Sequence, residues 1–182
     1  MNEDFVPDKK LRELFDWMES GVLAIFFMVL VYTFVARMIS VSGSSMLPTL
    51  QDGERLIVSR VMYTPQYGDI VVITKPNDQD EPLIKRVIAT AGQIIDIDFG
   101  KGVVFVDGYI LDEPYIAEKT HSYYDEVQFP LTVPEGCVFV MGDNRNHSWD
   151  SRAPGVGFID ERYILGKVYY RIMPRSRMGV PV

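Results

Sequence analysis

The sequence is poor in cysteine and histidine, the residues that most often build disulfides and metal centres. Its 182 residues include one cysteine, Cys137, and two histidines, His121 and His147. A single cysteine excludes an internal disulfide and a cysteine-rich metal site. The two histidines lie far apart, without the spacing of metal ligands. We therefore expect no metal site, and any catalytic base must be another residue type.

The sequence also has no excess of basic residues. The chain has 18 Lys and Arg against 25 Asp and Glu, which gives a formal net charge of −7. Nucleic-acid binding needs a basic face that neutralises phosphates, so nucleic acid is excluded as a partner. Hydrophobic residues make up 47% of the chain and charged residues 24%, which excludes a disordered tail and a polytopic membrane protein.

Beyond residue 40 the sequence contains no long amphipathic helical pattern. It has short runs of β-branched and aromatic residues, separated by Gly, Pro, Asn and Asp. These runs are residues 56–59, 69–74, 84–89, 94–98, 103–106 and 138–141. Asp107-Gly108 is a typical hairpin turn, because both residue types tolerate positive φ. The pattern predicts a mainly β fold, with an antiparallel sheet or barrel-like domain.

One long hydrophobic run precedes the β region. Residues 21–36 are apolar on every face and are followed by Arg37. A helix needs roughly 20 apolar residues to cross a bilayer, so we predict one transmembrane helix over residues 21–39. A cleavable signal peptide ending near residues 41–45 and a buried core helix are the alternatives.

The predicted anchor divides the chain into three parts. Residues 1–20 form a short cytoplasmic segment, and residues 40–182 form an extracytoplasmic β domain. Three basic residues precede the anchor, whereas Arg37 alone follows it directly, and this asymmetry favours a cytoplasmic N-terminus.

Ser45 lies in a segment of small residues just after the predicted anchor. Gly43 and Ser44 allow a peptide backbone to approach closely, and Pro48 fixes the chain beyond. A serine in this setting can act as a nucleophile, and its own N–H can stabilise an oxyanion. The alternative is that the segment is only a linker.

Lys85 is placed within an apolar predicted strand. Strand alternation sends Lys85 to one face and Ile84 and Arg86 to the other. If Lys85 faces the core, desolvation lowers its pKa and a neutral amine can act as general base. If it faces solvent, it is an ordinary surface lysine.

A third polar segment, residues 141–152, follows the apolar strand 138–141. Binding residues often occupy such loops at the end of a strand. Asp150 and Arg152 carry opposite charges two positions apart, so they can pair and fix the loop.

Together these segments resemble the bacterial type I signal peptidase family, of the small single-anchor type. The first motif of the family matches Gly43, Ser45, Met46, Pro48 and Thr49. The further motifs match residues 68–71, 85–87, 142–152 and 166–167. The order of the motifs is kept across nearly the whole chain.

The resemblance implies a Ser-Lys dyad and assigns the roles of five residues. Ser45 is the nucleophile and Lys85 the general base. Ser148 orients the Lys85 amine, and Asp150 and Arg152 brace the loop that carries Ser148. Neither a metal nor an organic cofactor is implied.

The resemblance also implies the substrate and the location. The enzyme takes a signal-peptide-bearing preprotein as an extended strand and cuts after a small-x-small (Ala-x-Ala) site. Leu83 and Ile84 are candidate pocket walls, with Gly43 and Met46 as further substrate-binding residues. The implied location is the plasma membrane. Two other readings are a membrane-tethered, non-enzymatic β binding domain and a self-cleaving protein of the SOS-repressor type.

Overall fold

The computed structural model describes residues 9–30, 32, 36–74 and 82–181. Within them the chain forms one long α-helix and eleven strands, with 3-10 helices at Glu161–Tyr163 and Arg175–Arg177. The elements are α1 Lys9–Leu30, β1 Arg37–Ser40, β2 Arg55–Ser59, β3 Ile70–Ile73, β4 Leu83–Thr90, β5 Ile94–Asp98, β6 Val103–Val106, β7 Tyr109–Ile110, β8 Leu131–Thr132, β9 Cys137–Met141, β10 Ile159–Asp160 and β11 Ile164–Met173.

The described strands form two antiparallel sheets. The larger sheet has seven strands in the order β1-β2-β11-β3-β4-β9-β10, and the smaller has four in the order β7-β6-β5-β8. All six predicted strands are present, and Asp107 and Gly108 form the hairpin turn with positive φ. The predicted mainly β, antiparallel fold is therefore confirmed.

The centre of the large sheet is buried on both faces. All four residues of β3 are buried, as are five consecutive residues of β4 from Lys85 to Ala89. Alternate side chains of these strands pack into three apolar clusters, one of which continues into the small sheet. A side chain in the middle of β4 is thus held by rigid neighbours and removed from water.

The predicted anchor differs from the structure at its boundaries. The helix begins at Lys9 rather than at residue 21, and Arg37–Ser40 forms β1 instead of the helix end. The reason is that residues 37–40 pair with β2, from Arg37 opposite Val58 to Ser40 opposite Arg55. Residues 1–8, 31 and 33–35, which belong to the predicted cytoplasmic segment and anchor, lie outside the described residues.

None of the helices in the described ranges has both the length and the apolar character needed to cross a membrane.

Candidate active site

The turn after β1 and the strand β4 bring a serine and a lysine together. Lys85 Nζ donates hydrogen bonds to Ser45 Oγ at 2.7 Å and to the carbonyl oxygen of Ile84 at 3.1 Å. Both residues line a cleft of about 560 Å³, together with residues 39–43 and 82–84. The serine and lysine singled out in the sequence therefore lie within proton-transfer distance of each other.

Lys85 occupies the core-facing one of its two predicted positions. It is 2% exposed, because β4 lies between β3 and β9 in the middle of the sheet. The pKa of Lys85 is lowered from 10.5 to about 8, mainly by burial and in smaller part by the nearby positive charge of Arg152. The carboxylates of Asp150 and Asp143 oppose this shift. A large fraction of Lys85 is thus neutral at mildly alkaline pH.

Local hydrogen bonds hold the Ser45 turn in place. Gly43 has a φ of +87°, which favours glycine, and its N–H donates to Asp52 Oδ1 at 2.9 Å. The N–H of Leu47 donates to the Ser44 carbonyl oxygen at 3.1 Å, closing the turn around Ser45. Ser45 is thereby presented to the cleft by a fixed backbone.

The loop that follows β9 is attached to this turn. The N–H of Asn144 donates to the Ser45 carbonyl oxygen at 3.0 Å, and its side-chain amide donates to the Ser44 carbonyl oxygen at 3.1 Å. The loop after β9 therefore contacts the turn that carries Ser45 directly. The geometry of this loop helps to set the position of Ser45.

The predicted Asp150–Arg152 pair forms in the core of this loop. Arg152 Nε and Nη2 donate to the two carboxylate oxygens of Asp150 at 2.8 and 2.9 Å, and the N–H of Gly142 donates to Oδ2 at 2.9 Å. Both charged side chains are almost fully buried. Burial by itself raises the pKa of Asp150, but the hydrogen bonds and charge of Arg152 outweigh it and lower the pKa below its ordinary value.

Ser148 lies beside this pair, but it does not make the expected contact with Lys85. Its Oγ is buried and forms no hydrogen bond with any residue in the described part of the chain. It is close enough to the Asp150 carboxylate to lower that pKa, although it stays outside hydrogen-bond geometry. The second hydrogen bond of Lys85 goes to Ile84 O instead.

Sequence reasoning missed a second buried ion pair at the site. Asp143 accepts hydrogen bonds from Arg86 Nε and Nη2 at 2.8 and 2.7 Å and from Thr49 Oγ1 at 2.5 Å. Arg86 follows Lys85 on β4, and Thr49 follows the Ser45 turn. The Asp143 carboxylate therefore links the strand that carries Lys85 to the turn that carries Ser45. All these residues stand in the quoted motifs, but a pairing across 57 positions leaves no local signal.

The four predicted substrate-binding residues all line the cleft. Gly43, Leu83 and Ile84 do so from its surface, whereas Met46 is 2% exposed and also packs in the core. Sequence reasoning missed Trp149, which lines the same cleft and packs with Leu83 against a core cluster. The sequence signal that could have identified Trp149 is an aromatic side chain within a polar loop.

Gly142 leaves no room for a side chain. A Cβ there would overlap both Ser148 Oγ and the carbonyl oxygen of Ser45. The serine side chain can turn away, but the backbone oxygen can move only if the turn that carries Ser45 moves with it.

Gly142→Ala is therefore expected to lower kcat by about 10²-fold, because a shift near 1 Å in a reacting group has an effect of that size. Stability should fall by about 1–3 kcal/mol from overpacking. Steady-state kinetics and thermal unfolding of the purified variant measure the two effects. A variant with unchanged kcat would show that the loop does not set the position of Ser45. Gly21→Ala, at a glycine of α1 with open space around it and no positive φ, controls for glycine replacement as such.

Comparison with known proteins identifies the family to which this chain belongs. The family model for signal peptidase, peptidase S26, matches residues 14–173. A probable signal peptidase I-1 of Synechocystis sp. is 40% identical over 168 residues, which cover 87% of this chain and 82% of the relative. Signal peptidase I of Bacillus licheniformis is 34% identical over 183 residues and 96% of each chain.

A crystal structure of a signal peptidase I from Enterococcus faecalis also aligns, with 28% identity and a TM-score of 0.46, over 58% of this chain and 97% of that one. The extent of the sequence matches decides against the binding-domain and SOS-repressor alternatives. The chain belongs to the signal peptidase family, peptidase S26, and is a type I signal peptidase.

Proposed function

We propose that this peptidase removes signal peptides from exported preproteins with a Ser45–Lys85 dyad, cutting after small-x-small sites. The observation that carries the proposal is the 2.7 Å contact between Ser45 Oγ and a buried Lys85 whose pKa is lowered to about 8. A serine hydroxyl needs an adjacent base to become a nucleophile, and a neutral lysine supplies one.

In the mechanism Lys85 accepts and donates the protons for both the acylation and the deacylation of Ser45. Neutral Lys85 Nζ takes the Ser45 proton while Oγ attacks the carbonyl carbon of the scissile bond, and the Ser45 N–H stabilises the oxyanion. The Lys85 ammonium then protonates the leaving amine as the carbon–nitrogen bond breaks. Lys85 then deprotonates a water molecule that attacks the Ser45 ester. The resulting ammonium returns the proton to Ser45 Oγ as the ester bond breaks and the signal peptide is released.

The shape of β4 supports binding of the substrate as an extended strand. The register of β4 with β9 starts at Arg86, so the preceding backbone at Leu83 and Ile84 borders the cleft instead of that strand. An extended peptide can run between this segment and residues 41–43. Leu83 and Ile84 are half-buried and give shallow, apolar walls, which suit small side chains at the first and third positions before the cut.

We place the enzyme at the plasma membrane, with its β domain on the extracytoplasmic side. Support comes from α1, which has no buried residue. Its second half exposes a set of large apolar side chains: Val22, Leu23, Ile25, Phe26, Phe27, Met28 and Val29. Lipid would cover this surface, and the excess of basic residues before it orients the N-terminus to the cytoplasm. Recovery of the full chain in the soluble fraction after lysis, without detergent, would contradict this placement.

Cleavage of a preprotein with an Ala-x-Ala site tests the activity and the nucleophile together. Detergent-solubilised enzyme and its Ser45→Ala variant are compared, and the N-terminus of the product is sequenced. We expect one cut after the second Ala, with no product from the variant. A cut elsewhere contradicts the specificity, and cleavage by the Ser45→Ala variant contradicts the dyad. Ser44→Ala, a change at the neighbouring exposed serine, is the matched control and should remain active.

A further inference from the structure

Residues 113–122, which we call the strap, have no regular secondary structure, and the motifs of the family give them no role. The strap nevertheless contains buried polar groups. Thr120 is fully buried, and the Glu113 side chain is 7% exposed. Buried polar side chains in an irregular segment need partners, and these partners show what the strap does.

The first partner is Arg145, in the loop that carries Ser148. Arg145 Nη2 donates to Glu113 Oε1 at 2.6 Å and Nη1 donates to Thr120 Oγ1 at 3.1 Å. Its Nε donates to the carbonyl oxygen of Gly142, the residue that contacts Ser45. Arg145 is itself 1% exposed. The strap thus supplies the countercharge for the arginine that holds Gly142.

The end of the strap holds the same loop at two further points. Asn146 Oδ1 accepts hydrogen bonds from the backbone N–H groups of His121 and Ser122, at 3.0 and 3.1 Å. Arg152, the partner of Asp150, donates through Nη1 to the Ser122 carbonyl oxygen at 3.1 Å. Three side chains of the 142–152 loop are therefore bound by one segment.

Tyr115 reaches the other half of the site. The Arg86 guanidinium carbon lies 4.0 Å from the centre of the Tyr115 ring, and the Arg145 guanidinium lies 5.7 Å away. A buried cation over a tyrosine ring is attracted to it and is also kept from water. Arg86 is the neighbour of Lys85 on β4 and the ion-pair partner of Asp143. The Tyr115 ring thus contacts Arg86 on β4 and Arg145 in the 142–152 loop.

The strap is fixed in turn to the small sheet. The N–H of Thr120 donates to the carbonyl oxygen of Gly102 at 3.3 Å, and a Cβ at Gly102 would overlap the side chains of Lys119 and His121. Tyr67 Oη also donates to the Asp112 carbonyl oxygen just before the strap. The strap is therefore also held by residues outside the 142–152 loop.

We propose that the strap, through the Tyr115 ring and Glu113, is the element that positions the Lys85 strand and the Ser148 loop for the cleavage reaction. Tyr115 and Glu113 are positioning residues: they act through Arg86 and Arg145 and do not touch the substrate. The inference rests on the proposed Ser45–Lys85 dyad, because it concerns the alignment of that pair.

The test compares Tyr115→Leu, which removes the ring, with Tyr115→Phe, which keeps it. For each variant kcat, KM and the thermal midpoint are measured with an Ala-x-Ala preprotein. We expect Tyr115→Leu to lose about tenfold or more in kcat, with KM changed by less than about twofold, since only alignment is affected. Tyr115→Phe loses only the hydroxyl, which donates to Glu113 Oε1 at 3.2 Å and lies 3.3 Å from Tyr67 Oη. It should restore most of the wild-type kcat, because the ring and the 2.6 Å contact between Arg145 and Glu113 remain.

Two further variants separate the possible failures. Val133→Ala, in the core of the small sheet, lies beside Gly92 and Gln93, at the end of β5 away from Gly102. It should lower thermal stability and leave kcat at the wild-type value. An unchanged kcat in Tyr115→Leu, an equal fall in Val133→Ala, or no rescue by Tyr115→Phe would each overturn the inference. Full activity in Lys85→Met would instead overturn the dyad itself, whatever the strap variants do.

Discussion

Lys85→Met is expected to abolish preprotein cleavage, with a loss in kcat of at least about 10³-fold. Methionine has nearly the same length and no proton-accepting amine, so Ser45 is left without the base that lies 2.7 Å away. The fold should be retained or stabilised, because an apolar side chain replaces an amine that is 2% exposed. Single-turnover cleavage, with thermal unfolding beside it, measures both effects.

The matched control for this experiment is Lys101→Met. Lys101 is 78% exposed and forms a surface ion pair with Asp98, so its replacement should leave cleavage unchanged. If Lys85→Met kept more than a tenth of the wild-type rate while properly folded, another group would have to deprotonate Ser45.

Arg152→Met is expected to cause the largest loss of stability, about 3–5 kcal/mol. The substitution leaves Asp150 buried without its partner, and two further hydrogen bonds, to the Ser122 and Arg145 carbonyl oxygens, are lost. Cleavage should fall as well, because the loop that touches Ser45 loses its internal brace. Chemical denaturation gives the change in the free energy of unfolding.

The chain contains a matched control for this ion pair. Arg162 and Asp160 also lie two positions apart and form the same paired hydrogen bonds, but Arg162 is 83% exposed. Arg162→Met should cost less than about 1 kcal/mol, because solvent screens exposed pairs. Equal losses in the two variants would show that burial of the Asp150–Arg152 pair has no energetic consequence.

The strands that could be predicted from the sequence are those with a plain apolar or alternating pattern. β11, the longest strand of the described part, was not predicted, although residues 164, 166 and 168 alternate towards the core. Gly166 obscures that pattern, since glycine is unfavourable in strands. The structure gives the reason for it: a Cβ at this position would overlap the backbone of Ser59 on β2. Close packing against β2 therefore requires glycine at position 166, although glycine has a low propensity for strands.

The candidate site was predictable where the chemistry is concentrated in short motifs. Ser45, Lys85 and the Asp150–Arg152 pair were located in this way, and strand alternation gave the two possible faces for Lys85. In the structure both faces of β4 are buried, and Arg86 on the opposite face is covered as well as Lys85. This could not be predicted, because it depends on the distant segments that pair with β4 and pack on it. The same holds for Asp143 with Arg86 and for the strap, whose contacts link distant segments without any periodic pattern.

The central claim is that Lys85 acts as the base in its neutral form, with a pKa lowered to about 8, and its own titration tests this most directly. The pKa of Lys85 is measured by NMR of lysine-labelled enzyme, with Lys85→Met identifying the signal, and kcat/KM is measured over the same pH range. Below its pKa the ammonium cannot accept the Ser45 proton, so activity should rise with pH through that value. The account predicts one midpoint for both curves, near 8. A Lys85 that titrates near 10.5 while activity is already complete at lower pH would contradict it.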